Sequence, residues 1–279
     1  MYKIGLSSRS FSLTEENFIK LHEAGIEATE IAGKAELYAD LDYKKIQDYS
    51  KRYSVELWSY HLPYMPFGEV DPSLQDSDKR KKTVTYFSEL IKKGSDIGID
   101  KFIVHPSGEP VLDGEREERI KLCMESLDTL ANVASECGAC IAVEDLPRTC
   151  LGRSIEEMHT LISANEKLRV CFDTNHLLTD NNLKFMDELA DRIVTVHVSD
   201  YDFVDEKHWL PGEGKNDWKA IFEKFREINY NGVWMCELAL CDTHTIRRER
   251  DIGFSDVVKN AKSIFDGRKP YTISHTVLV

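Results

Sequence analysis

Eight short apolar runs, each followed by a stretch with helical spacing, constrain this chain more than any other feature. The runs lie at residues 3–8, 26–32, 55–61, 101–105, 140–144, 169–173, 193–197 and 233–237. Phe102-Ile103-Val104, Ile141-Ala142-Val143 and Ile193-Val194-Thr195-Val196 are almost unbroken apolar segments. A strand with one wet face alternates apolar and polar residues, whereas an unbroken run suits a strand covered on both faces, as in parallel sheets. Between the runs, apolar residues recur at three- and four-residue spacing. Val84, Phe87, Leu90 and Ile91 do so within 78–97, and Ile120, Cys123, Leu127, Leu130 and Val133 do so within 115–136. Further helices are expected at 14–23, 218–228 and 254–265, and after Ser154, where Glu156 and Glu157 suit a helix start. About eight strand–helix alternations in 279 residues point to the α/β class and a single (β/α)8 TIM barrel, with a doubly wound sheet as the alternative. Composition never breaks along the chain, so one domain over 1–279 is expected. Residues 266–279 would form a C-terminal tail that packs outside the barrel or serves a homo-oligomer.

The chemistry-bearing residues fall at one end of these runs. His61, His105, Glu144, Asp173, His197 and Glu237 close six successive strands. In a barrel those ends converge on one mouth, where active sites sit. Three carboxylates in a dry mouth repel one another and cost several kcal/mol unless a cation or paired groups offset them. Carboxylates with imidazoles suit a hard to borderline divalent metal ion, which leaves Mn, Mg, Co and Zn open. No thiolate is placed to select a soft metal, and strand alternation turns Cys236 away from the mouth.

Charge narrows the partners. With 36 basic and 49 acidic residues the net charge is −13, a field that repels polyanions, so no nucleic acid is expected. The densest basic runs, 78–82 and 247–250, read as solvated helix faces. No apolar run of membrane-spanning length and no signal-peptide pattern occur, so a cytoplasmic location is expected and no membrane partner. The seven cysteines follow no framework spacing and are expected as reduced thiols, Cys137-Gly138-Ala139-Cys140 included. Phosphate-binding glycine loops and a nucleophile elbow are absent from the sequence. Gly212-Glu213-Gly214 is expected to turn the chain, and Arg148 and Arg153 either to reach a substrate phosphate or to cap the next helix.

Several segments in this order bring a resemblance into view: Val143-Glu144-Asp145-Leu146-Pro147, Phe172-Asp173-Thr174-Asn175-His176, His197-Val198-Ser199-Asp200, the stretch from His208 to Gly214 and Cys236-Glu237-Leu238. The chain resembles the xylose isomerase-like TIM-barrel superfamily, which holds sugar phosphate isomerases and epimerases and is related to the type IV AP endonucleases. The epimerase branch implies one metal held by Glu144, Asp173, His197 and Glu237, with His176 touching substrate beside it. It implies that Glu144 and Glu237 are also catalytic, as the acid–base pair. One removes a proton beside a ketose carbonyl to give an enediolate, and the other returns it on the opposite face. The expected function is thus a metal-dependent carbohydrate isomerase or epimerase acting on a small-molecule sugar or sugar phosphate. One position departs from that branch: Phe203 stands where an arginine usually binds substrate oxygens.

The endonuclease branch implies a different outcome. It holds three metals with nine ligands, and this chain has a counterpart for each: His61, His105, Glu144, Asp173, His176, His197, Glu206, His208 and Glu237. Glu206 differs in type from the aspartate of that branch. A di- or trinuclear phosphoesterase is therefore the alternative, with His61, His105, His176, Glu206 and His208 as additional metal ligands rather than substrate contacts. The loops beside the mouth, such as Leu62-Pro63-Tyr64-Met65 and Tyr201-Asp202-Phe203-Val204-Asp205, are apolar to acidic, which suits a small polar substrate better than DNA.

Overall fold

Each apolar run becomes a strand buried on both faces. A computed structural model describes residues 1–33 and 35–278. Eight parallel strands form the inner wall: β1 (Ile4–Ser7), β2 (Ala28–Ile31), β3 (Glu56–His61), β4 (Lys101–Val104), β5 (Cys140–Glu144), β6 (Arg169–Asp173), β7 (Ile193–His197) and β8 (Trp234–Cys236). Their order in the sheet runs from β7 down to β1 and on to β8. A parallel bridge between Val198 and Cys236 closes the ring, with Val198 N donating to Met235 O at 2.8 Å. The fold is a single (β/α)8 TIM barrel.

The outer layer is helical: α1 (Glu15–Ala24), α2 (Ala35–Asp40), α3 (Tyr43–Tyr53), α4 (Ser77–Asp96), α5 (Arg116–Glu136), α6 (Ile155–Ile162), α7 (Asn182–Glu188), α8 (Trp218–Glu227) and α9 (Phe254–Phe265). Several of their starts are capped by short polar side chains. Thr14 accepts from Asn17 N, Ser154 from Glu157 N, and Asp76 from the Asp78 and Lys79 amides. The main apolar core lies between helices and strands and includes Phe18, Phe87, Leu127, Phe172, Phe225 and Trp234. Cys236 belongs to this outward-facing core, as strand alternation requires.

Two smaller clusters fill the barrel interior. Ala28, Val233 and Met235 form one, and Ile103, Ala142 and Cys171 the other. Gly5 is required there: a Cβ on it would lie 2.6 Å from Val233 Cγ1 and 2.8 Å from Met235 Cε. Small and medium side chains thus make a floor, and the next inward residues up each strand face the mouth.

After β8 the chain adds a short antiparallel pair, β9 (Ile246–Arg248) with β10 (His275–Val277), so the C-terminal tail packs back on the segment that follows β8. The basic run 247–250 is not a solvated helix face. Arg248 lies in β9, wholly buried, and donates to Glu213 at 2.8 and 2.6 Å. Glu213 therefore does more than sit in a turn between two glycines: it anchors β9 to the loop after β7. Among the described residues no helix is long and apolar enough to cross a membrane.

Candidate metal centre

The inward parity of the strands lifts the polar residues above the floor. On β5, Ala142 and Glu144 share the inner face; on β6, Cys171 and Asp173 do so; on β7, Thr195 and His197 do so. Register places Asp173 beside His197, just past a bulge that inserts Val194. All nine residues expected from the sequence lie at this end of the barrel. They form adjoining groups whose donor atoms lie within 4.8 Å of one another: Glu144, Asp173, His197 and Glu237; His61 and His105 with Glu144; and His176, Glu206 and His208. All are buried except His105 and Glu206, which are half-buried.

Glu144 is the hub. Its Oε1 lies 2.8 Å from His197 Nδ1, and its Oε2 lies 3.1 Å from both His61 Nε2 and His105 Nε2. Backbone carbonyls fix two of the rings: His61 Nδ1 lies 2.8 Å from Leu62 O, and His176 Nδ1 lies 2.7 Å from Asp145 O. A ring that donates one N–H to a carbonyl has its other nitrogen free to accept, or to bind a cation, when neutral, and to donate when protonated. That nitrogen on His61 faces Glu144, and on His176 it faces Asp173 Oδ2 at 3.5 Å and Glu206 Oε2 at 3.4 Å. Tyr64 stacks on His105 with centroids 4.4 Å apart.

The centre is electrostatically loaded. Burial would raise the Glu144 carboxyl, but His197 and His105 hold it well below the usual carboxylate range. Burial pushes Asp173 up to about 7. Against burial, His197, His208 and Arg9 bring Glu237 down to about 2. Burial would lower His176 and His197, yet surrounding acids raise both well above an ordinary imidazole: Asp173 and Glu206 for His176, and Cys171, Glu30, Glu144 and Glu237 for His197. Burial and Arg9 take His208 down to about 4.

These residues fit a divalent cation. Asp173 Oδ2 is buried without a hydrogen-bond partner, which is costly for a carboxylate oxygen unless something positive faces it. Oxygen and imidazole donors converge around it, matching the preferences of borderline divalent ions. Cys171 corrects one expectation: its thiol does approach the centre, with Sγ 3.8 Å from His197 Nδ1 one layer below the carboxylates. Burial raises its pKa well above that of a free thiol.

Sequence reasoning missed two participants. Arg9, on the turn after β1, brings Nε to 3.6 Å from Glu237 Oε1. Glu30, on β2, is fully buried and lies 3.0 Å from His197 Nε2. Arg148 lines the chamber over the centre and is held in ion pairs rather than capping a helix. It bridges Glu109, Asp205 and Glu206 at 2.7, 2.7 and 3.3 Å, tying three loops of the rim together. Arg153 caps no helix and faces Asp113 at 3.8 Å. Phe203 is exposed and packs on Tyr201. A chamber of about 70 Å³ lies over the centre, lined among others by Glu144, Glu237, His176 and Arg9. Beside it a cleft of about 650 Å³ shares Arg9, His61, Tyr64 and Glu237 and extends past Pro63, Met65 and Pro66.

Fold and site together define a TIM-barrel protein with an acidic, histidine-rich centre at the carboxyl ends of its strands. The family model for the xylose isomerase-like TIM barrel matches residues 18–250, and the chain belongs to that family. An uncharacterised protein of Methanocaldococcus jannaschii is 28% identical over 244 residues, covering 83% of this chain and 82% of that one. A probable endonuclease 4 of Finegoldia magna is 29% identical over 134 residues, 44% of this chain and 47% of its own length. The crystal structure of a D-tagatose 3-epimerase-like protein superposes with a TM-score of 0.80 at 24% identity, over 95% of this chain and 97% of the other.

Proposed function

We propose that this chain is a divalent-metal-dependent isomerase or epimerase of a sugar or sugar phosphate, with Glu144 and Glu237 as the proton-transfer pair and Glu144, Asp173, His197 and Glu237 as the metal ligands. One observation carries the reading. Two buried carboxylates from β5 and from the end of β8 meet in one donor set and both line the same small chamber. Such a chamber holds the reacting end of a small molecule, and the adjoining cleft takes the remainder. A divalent cation held there supplies polarisation of a ketose carbonyl and its neighbouring hydroxyl, which acidifies the C–H beside them.

The chain's own groups do the rest. Glu237, kept ionised by His197, His208 and Arg9, is a carboxylate able to take a proton from carbon. Glu144, with three imidazoles around it, serves the opposite face of the enediolate. Return of the proton to the same carbon inverts it, and return to the neighbouring carbon interconverts aldose and ketose. Arg9, whose ion-pair contact among the described residues is the 3.6 Å approach to Glu237, binds substrate oxygens in place of the arginine that Phe203 replaces. The similar structure of a D-tagatose 3-epimerase-like protein points the same way.

A phosphoesterase with two or three metals is the second reading, favoured by the flanking His61–His105 and His176–Glu206–His208 groups. The rim weighs against it. Arg148 is consumed by three acids, and Phe67, Leu112, Phe203 and Val204 are exposed around the mouth, which gives a polyphosphate backbone little to hold. Equilibrium dialysis of chelator-stripped protein against Mn²⁺ separates the two. One tightly bound ion per chain is expected, while two or three tight ions would favour phosphoester chemistry.

A further inference from the structure

A lone acid inside a barrel wall demands an explanation. Glu30 belongs to β2, Ala28-Thr29-Glu30-Ile31, and its carboxylate is entirely enclosed. A buried carboxylate loses several kcal/mol of hydration unless donors surround it. Three do. Ser7 Oγ donates to Oε1 at 2.9 Å, Ser59 Oγ donates to Oε2 at 2.7 Å, and His197 Nε2 lies 3.0 Å from Oε2. The serines come from the strands on either side, in register with Glu30. Ser59 reaches that register only because a bulge between β2 and β3 skips Trp58. Bulges of this kind re-aim side chains beside functional sites.

His197 sits on the far side of the barrel from β2, and its two nitrogens face different worlds. Nδ1 looks at Glu144 Oε1 at 2.8 Å, Glu237 Oε2 at 3.5 Å and Asp173 Oδ2 at 3.9 Å. Nε2 looks at Glu30. An ionised carboxylate only accepts, so it holds a proton on Nε2 and leaves the Nδ1 lone pair pointing at the acidic set. Glu30 itself stands outside the converging donor groups among the described residues. Its oxygens are already taken by two hydroxyls and an imidazole.

We propose that Glu30 is the positioning residue of the metal centre: hydrogen-bonded across the barrel to His197 Nε2 and held by Ser7 and Ser59, it fixes the tautomer and the ring plane that present Nδ1 to a divalent cation. This rests on the reading of His197 as a metal ligand. A carboxylate behind a ligating imidazole also makes the ring a stronger donor, and removing such a partner weakens metal binding by about 10–100-fold. The rival account is a plain structural bolt between β2 and β7, which would affect stability and leave metal affinity alone.

The test compares wild type with Glu30→Gln, whose amide keeps the shape and can still accept from Nε2 but lacks the charge. Mn²⁺ affinity is read from the free-ion EPR signal during titration, alongside thermal unfolding of the metal-free proteins. The expected result is a loss of about 10–100-fold in Mn²⁺ affinity by a folded Glu30→Gln protein. A folded variant that binds Mn²⁺ as tightly as wild type overturns the assignment while leaving the metal site standing. Wild type that binds no divalent ion overturns both. Should the variant fail to fold, ¹⁵N-histidine NMR of wild type loaded with diamagnetic Zn²⁺ decides: a proton on His197 Nε2 supports the proposal, and one on Nδ1 overturns it.

Discussion

At the scale of single residues, Asp173, His176 and His197 are raised in pKa, while Glu144, Glu237 and His208 are lowered. Burial lifts Asp173 to about 7, and the neighbouring acids lift His176 and His197 above the ordinary imidazole range. Raised pKa values mean that these groups hold protons in the metal-free protein near pH 7. A cation requires the unprotonated forms, so it must displace those protons. Binding of Mn²⁺ is therefore expected to tighten as pH rises through neutrality and to release protons at pH 7, measurable with an indicator dye in weak buffer. Loading without proton release would contradict these assignments. Arg9 and Glu30 escaped the sequence reading for physical reasons. An arginine just past a strand reads as solvent-facing, and an isolated glutamate in a strand has no motif. The one available signal for Glu30 was parity: Ala28 and Glu30 share a face, so a charge there had to point inward together with the floor.

At the scale of elements, the segment between β7 and α8 decides whether Glu206 and His208 reach the centre. Asp200 organises it, accepting from Tyr201 N at 2.9 Å, Gly212 N at 2.7 Å, Asn216 N at 3.1 Å and Trp218 Nε1 at 2.8 Å. Gly214 passes so close that a Cβ would strike the Tyr201 carbonyl oxygen and the Asp200 carboxylate. Gly214→Ala is expected to lower stability by about 1–3 kcal/mol, the usual cost of overpacking. Urea unfolding measures this, and a wild-type midpoint would show that the loop relaxes freely. The strands of the β4 to β7 wall were legible in the sequence because they are covered on both faces. Helix α3 was not singled out, since Tyr-Lys-Lys-Ile-Gln-Asp-Tyr-Ser-Lys-Arg-Tyr buries only Ile46 fully. Helix α7 has seven residues, too few for a periodic signal. Arg248 was misjudged because a basic run predicts solvent only when no buried acid awaits it, and Glu213 lies 35 residues away in sequence.

At the scale of the whole molecule, charge and shape agree on the kind of substrate. The surface carries a net charge of −13, the rim mixes acidic and apolar residues, and the cationic groups nearest the mouth are turned inward or paired. Long-range attraction of a polyanion would need the opposite field. The barrel instead offers a small chamber with a larger cleft beside it, an arrangement suited to a small polyhydroxylated molecule with one end held at the centre. His61, His105, Glu144, Asp173, His197 and Glu237 were readable from strand ends, because (β/α)8 topology brings those ends to one mouth, whereas His176, Glu206 and His208 lie in loops and came only from the resemblance. How many of those ligands serve one ion, and how many serve substrate, depends on distances that no sequence pattern encodes. The most direct test of the account is deuterium uptake from D₂O into a panel of ketoses by Mn²⁺-loaded protein, followed by NMR. The account predicts exchange at a carbon adjacent to the carbonyl, lost on chelation and lost in Glu237→Gln. Absence of exchange into every ketose, together with metal-dependent nicking of abasic DNA by the same preparation, would contradict it.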